Sequence, residues 1–386
     1  MRRPRIPAGA AGVLVGICGL VVGGCGGGSG GGAKPQGAQT AQHAAIAPGF
    51  VGLVSEDSFA AGPAQRRDIL NAEKRTGVEL LRQIFDWSQI EVKPGHYDFS
   101  LYDAWVEAVA RAGMDVLPVL MRPPVFDRAP PQFGATVTAT TIFPPSDLSA
   151  FARFATALAQ RYGHNGSFWS THPDVPQRPI RAWQVWNEPN LPVFWGGMPS
   201  AGAYVTMLRT VSAALHRVDP GAEVVTAGIP ESKQGVPLER FVRQMLAAGA
   251  RDTFDTFAVH PYAVTAAGAL AAVRRVRGLL SAAGVHAPIW VTEVGWASDG
   301  PGSSFTVGPA RQAALVLAIV TSLAEAARSL GVRGVVYFNW RDAKPFPGQK
   351  DFWGLHTGLL RLDGSGKPAL STYYQAAGVV AKLRAG

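Results

Sequence analysis

The feature that most restricts the fold is an alternation of short apolar runs with longer amphipathic runs. β-Branched and aromatic side chains are frequent in the short runs, as is typical of buried strands. Eight such runs occupy residues 50–54, 78–82, 115–121, 181–186, 223–227, 254–259, 289–293 and 334–339. Helical patterns occupy residues 63–76, 98–112, 147–162, 200–218, 238–248, 266–283, 308–330 and 370–383. Eight strands that alternate with helices predict the α/β class and a single (β/α)8 TIM barrel.

The composition agrees with one large folded domain, which we place at residues 48–386. Of the 386 residues, 47% are hydrophobic and 16% are charged, so the chain can bury a sizeable core. The net charge is +9, yet the basic residues are scattered and form no run of five. This basicity indicates solubility or affinity for an anionic envelope, and it does not indicate nucleic-acid binding.

The first 24 residues have the pattern of an export signal. Arg2, Arg3 and Arg5 precede a Gly-rich apolar stretch, residues 6–22, that is too short for a stable membrane span. The sequence Val22-Gly23-Gly24-Cys25 resembles the lipobox of bacterial lipoproteins, in which the cysteine is acylated. Residues 25–47 then form a flexible Gly/Ala-rich tether. Two outcomes stay open: a lipid anchor at Cys25 in the cell envelope, or ordinary cleavage and secretion.

Two of the predicted strands end in a glutamate. One apolar run is followed at once by Asn187-Glu188-Pro189-Asn190, and Pro189 cannot continue a strand ladder because it has no N–H. The run at residues 288–296 carries Glu293 near its end. The two acids are separated by about three βα units, which places both at one rim of the barrel. A single strand-end glutamate would ordinarily be a salt-bridge partner or a helix cap.

These two motifs carry a family resemblance. Trp186-Asn187-Glu188-Pro189 and Thr292-Glu293-Val294-Gly295-Trp296 resemble the acid/base and nucleophile strands of the clan A retaining glycoside hydrolases. Residues 50–383 are most similar to glycoside hydrolase family 39 and related bacterial secreted glycosidases. The resemblance implies an enzyme that cleaves a β-linked glycoside or polysaccharide by double displacement. In such enzymes the two carboxylates lie about 5–5.5 Å apart, and no cofactor is needed.

The resemblance also implies roles for residues around the nucleophile. Arg82, which the sequence predicts at the end of its strand, would form an ion pair with Glu293. His260 and Tyr262 would lie beside the nucleophile, with the Tyr262 hydroxyl donating to Glu293. Asn187 would bind the substrate 2-hydroxyl. For each residue a structural role is the alternative: an ion pair elsewhere, a packed histidine or a turn asparagine.

Aromatic side chains after the predicted strands could contact sugar. Trp340 resembles the platform beneath the sugar at the cleavage point, because the apolar face of a pyranose stacks on indole. Trp296 is a second substrate-contact candidate, with plain packing as the alternative. Weaker candidates for loop contacts are Phe126, Trp195, Trp353, Glu56, Asp57, Asp86 and Glu91. No metal is predicted, since His43, His164, His172 and His286 are not at ligand spacing.

Two other functions are compatible with the same barrel. The first is a non-catalytic carbohydrate-binding barrel anchored at the cell envelope, although the presence of both glutamates argues against it. The second is an envelope scaffold for protein partners, which large exposed apolar patches would favour. The shape of the loops, which no motif encodes, decides the sugar, the linkage and whether attack is exo or endo.

Overall fold

The computed structural model describes residues 46–385, which form a parallel barrel surrounded by helices. The strands are β1 (Val51–Val54), β2 (Leu80–Asp86), β3 (Glu91–Lys93), β4 (His96–Tyr97), β5 (Asp115–Met121), β6 (Ala182–Val185), β7 (Glu223–Val225), β8 (Ile229–Pro230), β9 (Phe257–His260), β10 (Ile289–Val294) and β11 (Val332–Tyr337). The helices are α1 (Glu56–Ala60), α2 (Pro63–Arg75), α3 (Trp87–Ile90), α4 (Ser100–Arg111), α5 (Leu148–Tyr162), α6 (Ser167–Thr171), α7 (Ala201–Val218), α8 (Leu238–Ala247), α9 (Ala266–Ala282), α10 (Pro309–Glu325), α11 (Ala327–Leu330) and α12 (Pro368–Ala385). The predicted signal segment, most of the tether and Cys25 lie outside the described residues.

The strands follow the order β7-β6-β5-β2-β1-β11-β10-β9-β8. The two strands at the ends of this order, β7 and β8, are consecutive pieces of one barrel strand. A parallel bridge between Val225 and Thr256 joins β7 to the start of β9 and closes the sheet. The small β3–β4 hairpin lies outside it. The eight-stranded (β/α)8 barrel predicted from the sequence is therefore confirmed.

The segment between β7 and β8 passes close to His260 at Gly228. A Cβ atom built on Gly228 would lie 1.9 Å from the Nε2 atom of His260. Only glycine therefore allows the imidazole to lie against this backbone. The sequence predicts a strand at residues 223–227; the structure has this strand but ends it at Val225, and pairing resumes at Ile229 after Gly228.

Two further elements differ from the prediction. Strand β2 continues to Asp86 because every residue from Leu80 to Asp86 pairs with a residue of β5. Arg82 therefore lies in the middle of β2 and not at its end. The single helix predicted at residues 308–330 is two helices, α10 and α11, with Ala326 between them. Within residues 46–385, no helix is long and apolar enough to cross a bilayer.

Side-chain caps fix where several helices begin. Asp147, Ser200 and Thr265 each accept a hydrogen bond from a backbone N–H in the first turn of α5, α7 and α9, respectively. Such caps satisfy amide groups that have no partner within the helix and stabilise it by about 1 kcal/mol each. After α9, Gly284 adopts a positive φ of 72°, which ends the helix.

The apolar core has two parts. The larger part lies between the barrel and the surrounding helices. The smaller part is a compact layer inside the lumen, made of Val54, Leu80, Leu117, Ala182, Val225, Ala258, Trp290, Val336 and Phe338. Most strands of the barrel contribute one residue to this layer, as in other barrels whose lumen is packed. It forms the floor on which the polar residues described next are placed.

Candidate active site

A polar layer lies directly above the apolar floor of the lumen. In a strand, side chains two positions apart point to the same face. The residues two positions beyond Leu80, Ala182, Ala258 and Trp290 are Arg82, Gln184, His260 and Thr292. All four are buried, and their side chains are linked by hydrogen bonds. Because the strands are parallel, this layer faces the rim formed by their carboxyl ends, where barrel enzymes place their active sites.

Arg82 is the centre of this polar layer. Its Nη1 atom donates to Glu293 Oε1 at 2.6 Å, its Nη2 atom donates to Asn187 Oδ1 at 2.8 Å, and its Nε atom donates to Gln184 Oε1 at 2.7 Å. The guanidinium presents its donors in a fixed plane, so it sets all three partners at once. The contact with Glu293 is the one predicted from the sequence. Removing one member of a buried ion pair typically costs about 3–5 kcal/mol of stability.

Both carboxylate oxygens of Glu293 receive a donor. Oε1 accepts from Arg82, and Oε2 accepts from the Tyr262 hydroxyl at 2.8 Å. Burial, together with the charge of Glu293, raises the pKa of Tyr262 well above its ordinary value, so the hydroxyl keeps its proton and remains a donor. Trp353 packs edge-on against Tyr262 with ring centroids 5.4 Å apart. The carboxylate is thereby fixed in one orientation.

Glu188 is held in the opposite electrostatic environment. Its side chain is fully buried, its Oε1 atom lies 2.7 Å from Nδ1 of His260, and its Oε2 atom has no hydrogen-bond partner among the described residues. Burial, and next the charge of Glu293, raise the pKa of the Glu188 carboxyl well above its ordinary value despite the opposing charge of Arg82. Burial therefore favours the protonated form of Glu188, as a general acid requires.

His260 links the two glutamates. Its Nδ1 atom lies 2.7 Å from Glu188 and 3.7 Å from Glu293, while its Nε2 atom is 3.0 Å from the Thr292 hydroxyl. Burial and the nearby Arg82 charge hold the pKa of His260 well below its ordinary value, so the imidazole is neutral. A neutral imidazole donates from one nitrogen and accepts at the other. It can therefore bridge Glu188 and Thr292 without adding charge.

The two glutamates are close enough for a double displacement. One oxygen of each carboxylate and a ring nitrogen of His260 all lie within 4.8 Å of one another. Retaining glycosidases have carboxyl groups about 5–5.5 Å apart, whereas inverting enzymes separate them by about 6.5–9.5 Å. The geometry thus matches the retaining arrangement.

The backbone before Glu188 adopts an uncommon conformation. Trp186 has φ 75° and Glu188 has φ 43°, both in the left-handed region. A non-glycine residue in that region costs about 1–3 kcal/mol, and such residues cluster at functional sites. The turn is held by the Trp186 indole, which donates to the carbonyl of Phe194 at 2.8 Å. These two left-handed residues, Trp186 and Glu188, end the extended conformation of β6 and direct the Glu188 side chain into the lumen.

The two tryptophans predicted to contact substrate are buried. Trp340 is 3% exposed directly beyond β11, so it offers sugar almost no accessible face. Trp296 is fully buried, and its indole donates to the carbonyl of Ala263 at 2.7 Å. Trp296 therefore packs the wall of the site and does not contact sugar in this conformation. Trp340 is therefore not the exposed platform expected from the sequence; its exposure equals that of Glu293, and a contact with sugar stays a prediction for both residues.

Three of the weaker acidic candidates, Glu91, Asp57 and Asp86, have structural partners. Glu91 accepts from the backbone of Gly95 at 2.6 Å inside the β3–β4 hairpin, and Asp57 pairs with Arg341 at 2.6 Å. Asp86 pairs with Arg122 at 3.3 Å and also lines a cavity of about 440 Å³ at the same rim. Burial raises the pKa of Glu56, near Gln83, to about 7. Asp86 and Glu56 thus remain near the mouth of the barrel, where a ligand would pass.

The sequence gives one overlooked signal for this site. Gln184 and Thr292 are polar residues in otherwise apolar strands, and buried polar residues are the informative exceptions in a core. The Gln184 amide donates to the Thr226 carbonyl at 3.0 Å and to the Thr292 hydroxyl at 3.1 Å. Its oxygen accepts from Arg82. Gln184 therefore orients the arginine that holds Glu293.

Two clusters of side chains have the spacing of a cation site. One is the Glu188, His260 and Glu293 group itself, in which the Arg82 guanidinium already supplies a positive charge. The other consists of Asp299, Asp342 and His356. There the Lys367 ammonium lies 2.7 Å from Asp342. Each cluster thus already has a cationic side chain on one of its carboxylates.

Access to the two glutamates is narrow. Glu188 is fully buried and Glu293 is 3% exposed. Little of either carboxyl group is therefore in contact with solvent in this structure. The depth of the pair also explains the pKa of Glu188, because water is excluded from the carboxyl.

The pKa of Glu188 makes stability depend on pH in a defined direction. The pKa of the carboxyl is raised above 4.5 by burial, so the folded protein binds this proton more tightly than the unfolded chain. The unfolding free energy is therefore highest below that value and falls as pH rises toward the folded-state pKa. We expect Glu188→Gln, which cannot ionise, to become more stable than the wild type as pH rises from about 4 to about 8.

Melting temperatures measured across that pH range test this expectation. Each kcal/mol shifts the melting temperature of a domain this size by about 2 °C. Glu325→Gln, at an exposed position on α10, is the matched control and should follow the wild type. Parallel curves for Glu188→Gln and the wild type would show that the buried carboxyl is not protonated preferentially in the folded state.

Comparison with known proteins finds similarity at the level of structure alone. No protein-family model matches the sequence, and no curated protein matches it. A family 39 glycoside hydrolase from Bacteroides cellulosilyticus WH2 is similar with a TM-score of 0.61 and 20% identity, over 87% of this chain and 64% of that one. This chain therefore spans less than two thirds of that protein.

Two further solved structures have the same fold. A monomeric β-xylosidase from Caulobacter crescentus CB15 gives a TM-score of 0.61 at 19% identity, over 86% of this chain and 69% of that one. An exo-β-1,4-mannosidase from an Opitutaceae bacterium gives 0.57 at 16% identity, over 87% and 62%. The fold resemblance predicted from the two glutamate motifs is confirmed: this chain has the barrel fold seen in family 39 glycoside hydrolases.

Proposed function

We propose that the protein is a retaining glycoside hydrolase that cleaves a β-linked glycoside or polysaccharide. The observation that carries the proposal is the pair of glutamates within 4.8 Å of each other in unlike environments. Glu293 is held by Arg82 and Tyr262, whereas burial raises the pKa of Glu188 and so favours its protonated form. A glycosidase needs this division between a nucleophile and an acid.

The proposed reaction has two displacements. Glu293 attacks the anomeric carbon while the bond to the leaving oxygen breaks, and Glu188 gives that oxygen its proton. The glycosyl group is then bound to Glu293 as an ester. In the second step Glu188 removes a proton from water, the water oxygen attacks the anomeric carbon, and Glu293 is released as a carboxylate.

The other residues of the site support these steps. Arg82 and Tyr262 keep the two oxygens of Glu293 in place for attack. His260 presents a neutral ring to Glu188, so the proton of that carboxyl is not displaced by a neighbouring positive charge on the ring. Asn187, held at its oxygen by Arg82, keeps its amide N–H groups available for a substrate hydroxyl.

Stereochemistry of the first product tests the proposal. We expect an aryl β-glycoside to give the β-anomer of the free sugar first, because two inversions restore the configuration. Proton NMR during the first minutes, before mutarotation, distinguishes the anomers. A panel of xyloside, glucoside, galactoside and mannoside substrates covers the sugars compatible with this class.

The control separates enzyme from contaminant. The variant with both Glu188→Gln and Glu293→Gln should bind the same glycosides but release no aryl alcohol. A first product with the α configuration would replace double displacement with inversion. Binding of oligosaccharides by the wild type with no turnover on any substrate would identify the barrel as a non-catalytic carbohydrate-binding protein.

We also propose that the enzyme is exported and anchored by a lipid on Cys25. The support is the sequence Val22-Gly23-Gly24-Cys25, followed by a Gly-rich tether. Acyl chains add membrane affinity, and two of them suffice for stable anchoring. We expect Cys25→Ser to move the protein from the membrane fraction to the soluble fraction, as followed by fractionation and immunoblotting. A wild-type protein that is already soluble, with no lipid by mass spectrometry, would favour simple secretion.

A further inference from the structure

The cavity lined by Asp86 lies at the same rim as the two glutamates. It has a volume of about 440 Å³ and is lined by Asp86, Ser88, Arg122, Pro123, Arg128, Ala139, Thr141, Ile142, Phe143, Phe346 and Pro347. We call it the rim cavity. Asp86 is the last residue of β2, four residues beyond Arg82. At the rise of an extended strand, the Cα atom of Asp86 lies about 13 Å from that of Arg82.

The rim cavity has an excess of positive charge. Arg122 pairs with Asp86 at 3.3 Å, so these two charges offset each other. Arg128 is exposed, and within residues 46–385 no carboxylate lies at ion-pair distance from it; its guanidinium carbon lies 5.2 Å from the centre of the Phe143 ring. This stacking holds the planar group in place, and the charge of Arg128 remains available to an anion.

The remaining walls suit a sugar ring. Ile142, Phe143 and Phe346 provide apolar surface, while Ser88 and Thr141 provide hydroxyl groups. The apolar face of a pyranose packs on such surface, and a few placed polar groups give orientation. Phe126 and Phe133, in the loop between β5 and α5 that supplies much of the cavity lining, are exposed. This combination fits carbohydrate better than a wholly polar ligand.

The backbone at the cavity is strained. Among the described residues, the non-glycine residues with positive φ are Arg122, Trp186 and Glu188. Two of these belong to the catalytic turn, and the third, Arg122 with φ 63°, lies directly after β5 in the rim cavity. Residues held in this region cost about 1–3 kcal/mol and mark functional sites more often than plain scaffold.

We propose that the rim cavity binds a sugar unit that carries a carboxylate or a sulfate, with Arg128 as the residue that recognises the anionic group. The inference rests on the proposed function, since the bound unit would belong to the glycan cleaved at Glu188 and Glu293. A guanidinium binds carboxylate and sulfate oxygens in a bidentate manner that a neutral hydroxymethyl group cannot reproduce. The substrate class is therefore an acidic glycan.

Calorimetric titration with matched trisaccharides tests the proposal. The probes are a trimer of β-1,4-linked glucuronic acid, cellotriose, which has hydroxymethyl groups in place of the carboxylates, and cellotriose 6-sulfate. The protein is the full chain with Glu293→Gln, so that no probe is consumed. We expect the uronate trimer to bind about ten-fold more tightly than cellotriose, as a charged hydrogen bond would provide. The sulfated probe shows whether the site accepts either anion or the carboxylate alone.

Two substitutions in that background assign the effect. Arg128→Gln should bring the affinity for the uronate trimer to that for cellotriose, whereas Arg251→Gln should change neither. Arg251 is exposed in the loop between α8 and β9, at the opposite face of the barrel, so it reports any general effect of lost charge. Equal affinities of the parent for all three probes, or an unchanged preference in Arg128→Gln, would overturn the proposal.

These results are separable from the proposed function. Normal hydrolysis of neutral aryl glycosides with no Arg128-dependent preference for acidic probes would sink the rim-cavity proposal and leave the hydrolase proposal standing. Arg128-dependent binding of the uronate trimer with no hydrolysis of any glycoside would overturn the hydrolase proposal and leave the rim-cavity proposal standing. In that case the rim cavity would be a site of a carbohydrate-binding barrel.

Discussion

Glu293→Ala is expected to abolish turnover, with a loss of kcat on the order of 10⁵–10⁶-fold for an aryl glycoside. The reason is that no other carboxylate can attack the anomeric carbon from the position that Arg82 and Tyr262 fix. The substitution leaves a small space beside two donors. Added azide can enter this space and attack directly, which gives the glycosyl azide with inverted configuration. Kinetics with and without azide, and NMR of the azide product, measure both effects.

The control for this experiment is Glu325→Ala, which removes an exposed glutamate from α10 and should leave kcat unchanged. Circular dichroism and the melting temperature must show that Glu293→Ala is folded, since a buried arginine loses its partner. Folded Glu293→Ala with wild-type turnover would mean that the nucleophile lies elsewhere. An azide product of retained configuration would mean that a covalent intermediate still forms without Glu293.

The sequence predicts the barrel because the signals are local. Strand β5 has the predicted bounds, residues 115–121. A short apolar run between a helix and a proline-rich loop is typical of a buried strand. The two glutamates are also predictable, because each stands at the end of a strand whose register assigns it to one rim. Parallel barrels bring such ends together whatever the intervening sequence.

How deep a side chain lies in the lumen of the barrel is harder to predict from the sequence. Arg82 appears to end its strand when only the apolar run is counted, but pairing with β5 extends the strand to Asp86. Arg82 therefore lies inside the lumen, where it reaches Asn187 and Glu293 together. Gln184 has no motif at all, and its contact with Arg82 exists only after the barrel closes. Such contacts depend on register between strands distant in sequence, which local patterns do not contain.

The loops over the site are the other part that the sequence does not fix. The burial of Trp340 depends on how the segment after β11 packs, and the resemblance alone places an open indole there. The rim cavity likewise depends on the loop between β5 and α5 meeting the segment after β11. Both loops belong to the class of long connections that carry specificity in barrels. The fold and the chemistry are thus more predictable than the substrate.

Glu188→Ala is expected to separate the two steps of the reaction. With a substrate whose leaving group is a good one, such as a dinitrophenolate, bond cleavage hardly needs a proton, so the glycosyl-enzyme still forms rapidly. Its hydrolysis should slow by about 10²–10⁴-fold, the usual contribution of a general base. A burst of dinitrophenolate followed by a slow steady state, and an intact mass increased by one glycosyl unit, are the expected signs.

Azide then distinguishes the role of Glu188 from that of Glu293. As an anion, azide needs no base, so it should accelerate turnover of Glu188→Ala and give the glycosyl azide with retained configuration. A substrate with a poor leaving group should show no rescue, because protonation of the leaving oxygen is then the missing step. The pH profile should also lose the limb that reports the raised pKa of Glu188. Rescue with inverted configuration would exchange the two roles, since azide would then be replacing the nucleophile, and Glu293 would have to be the acid.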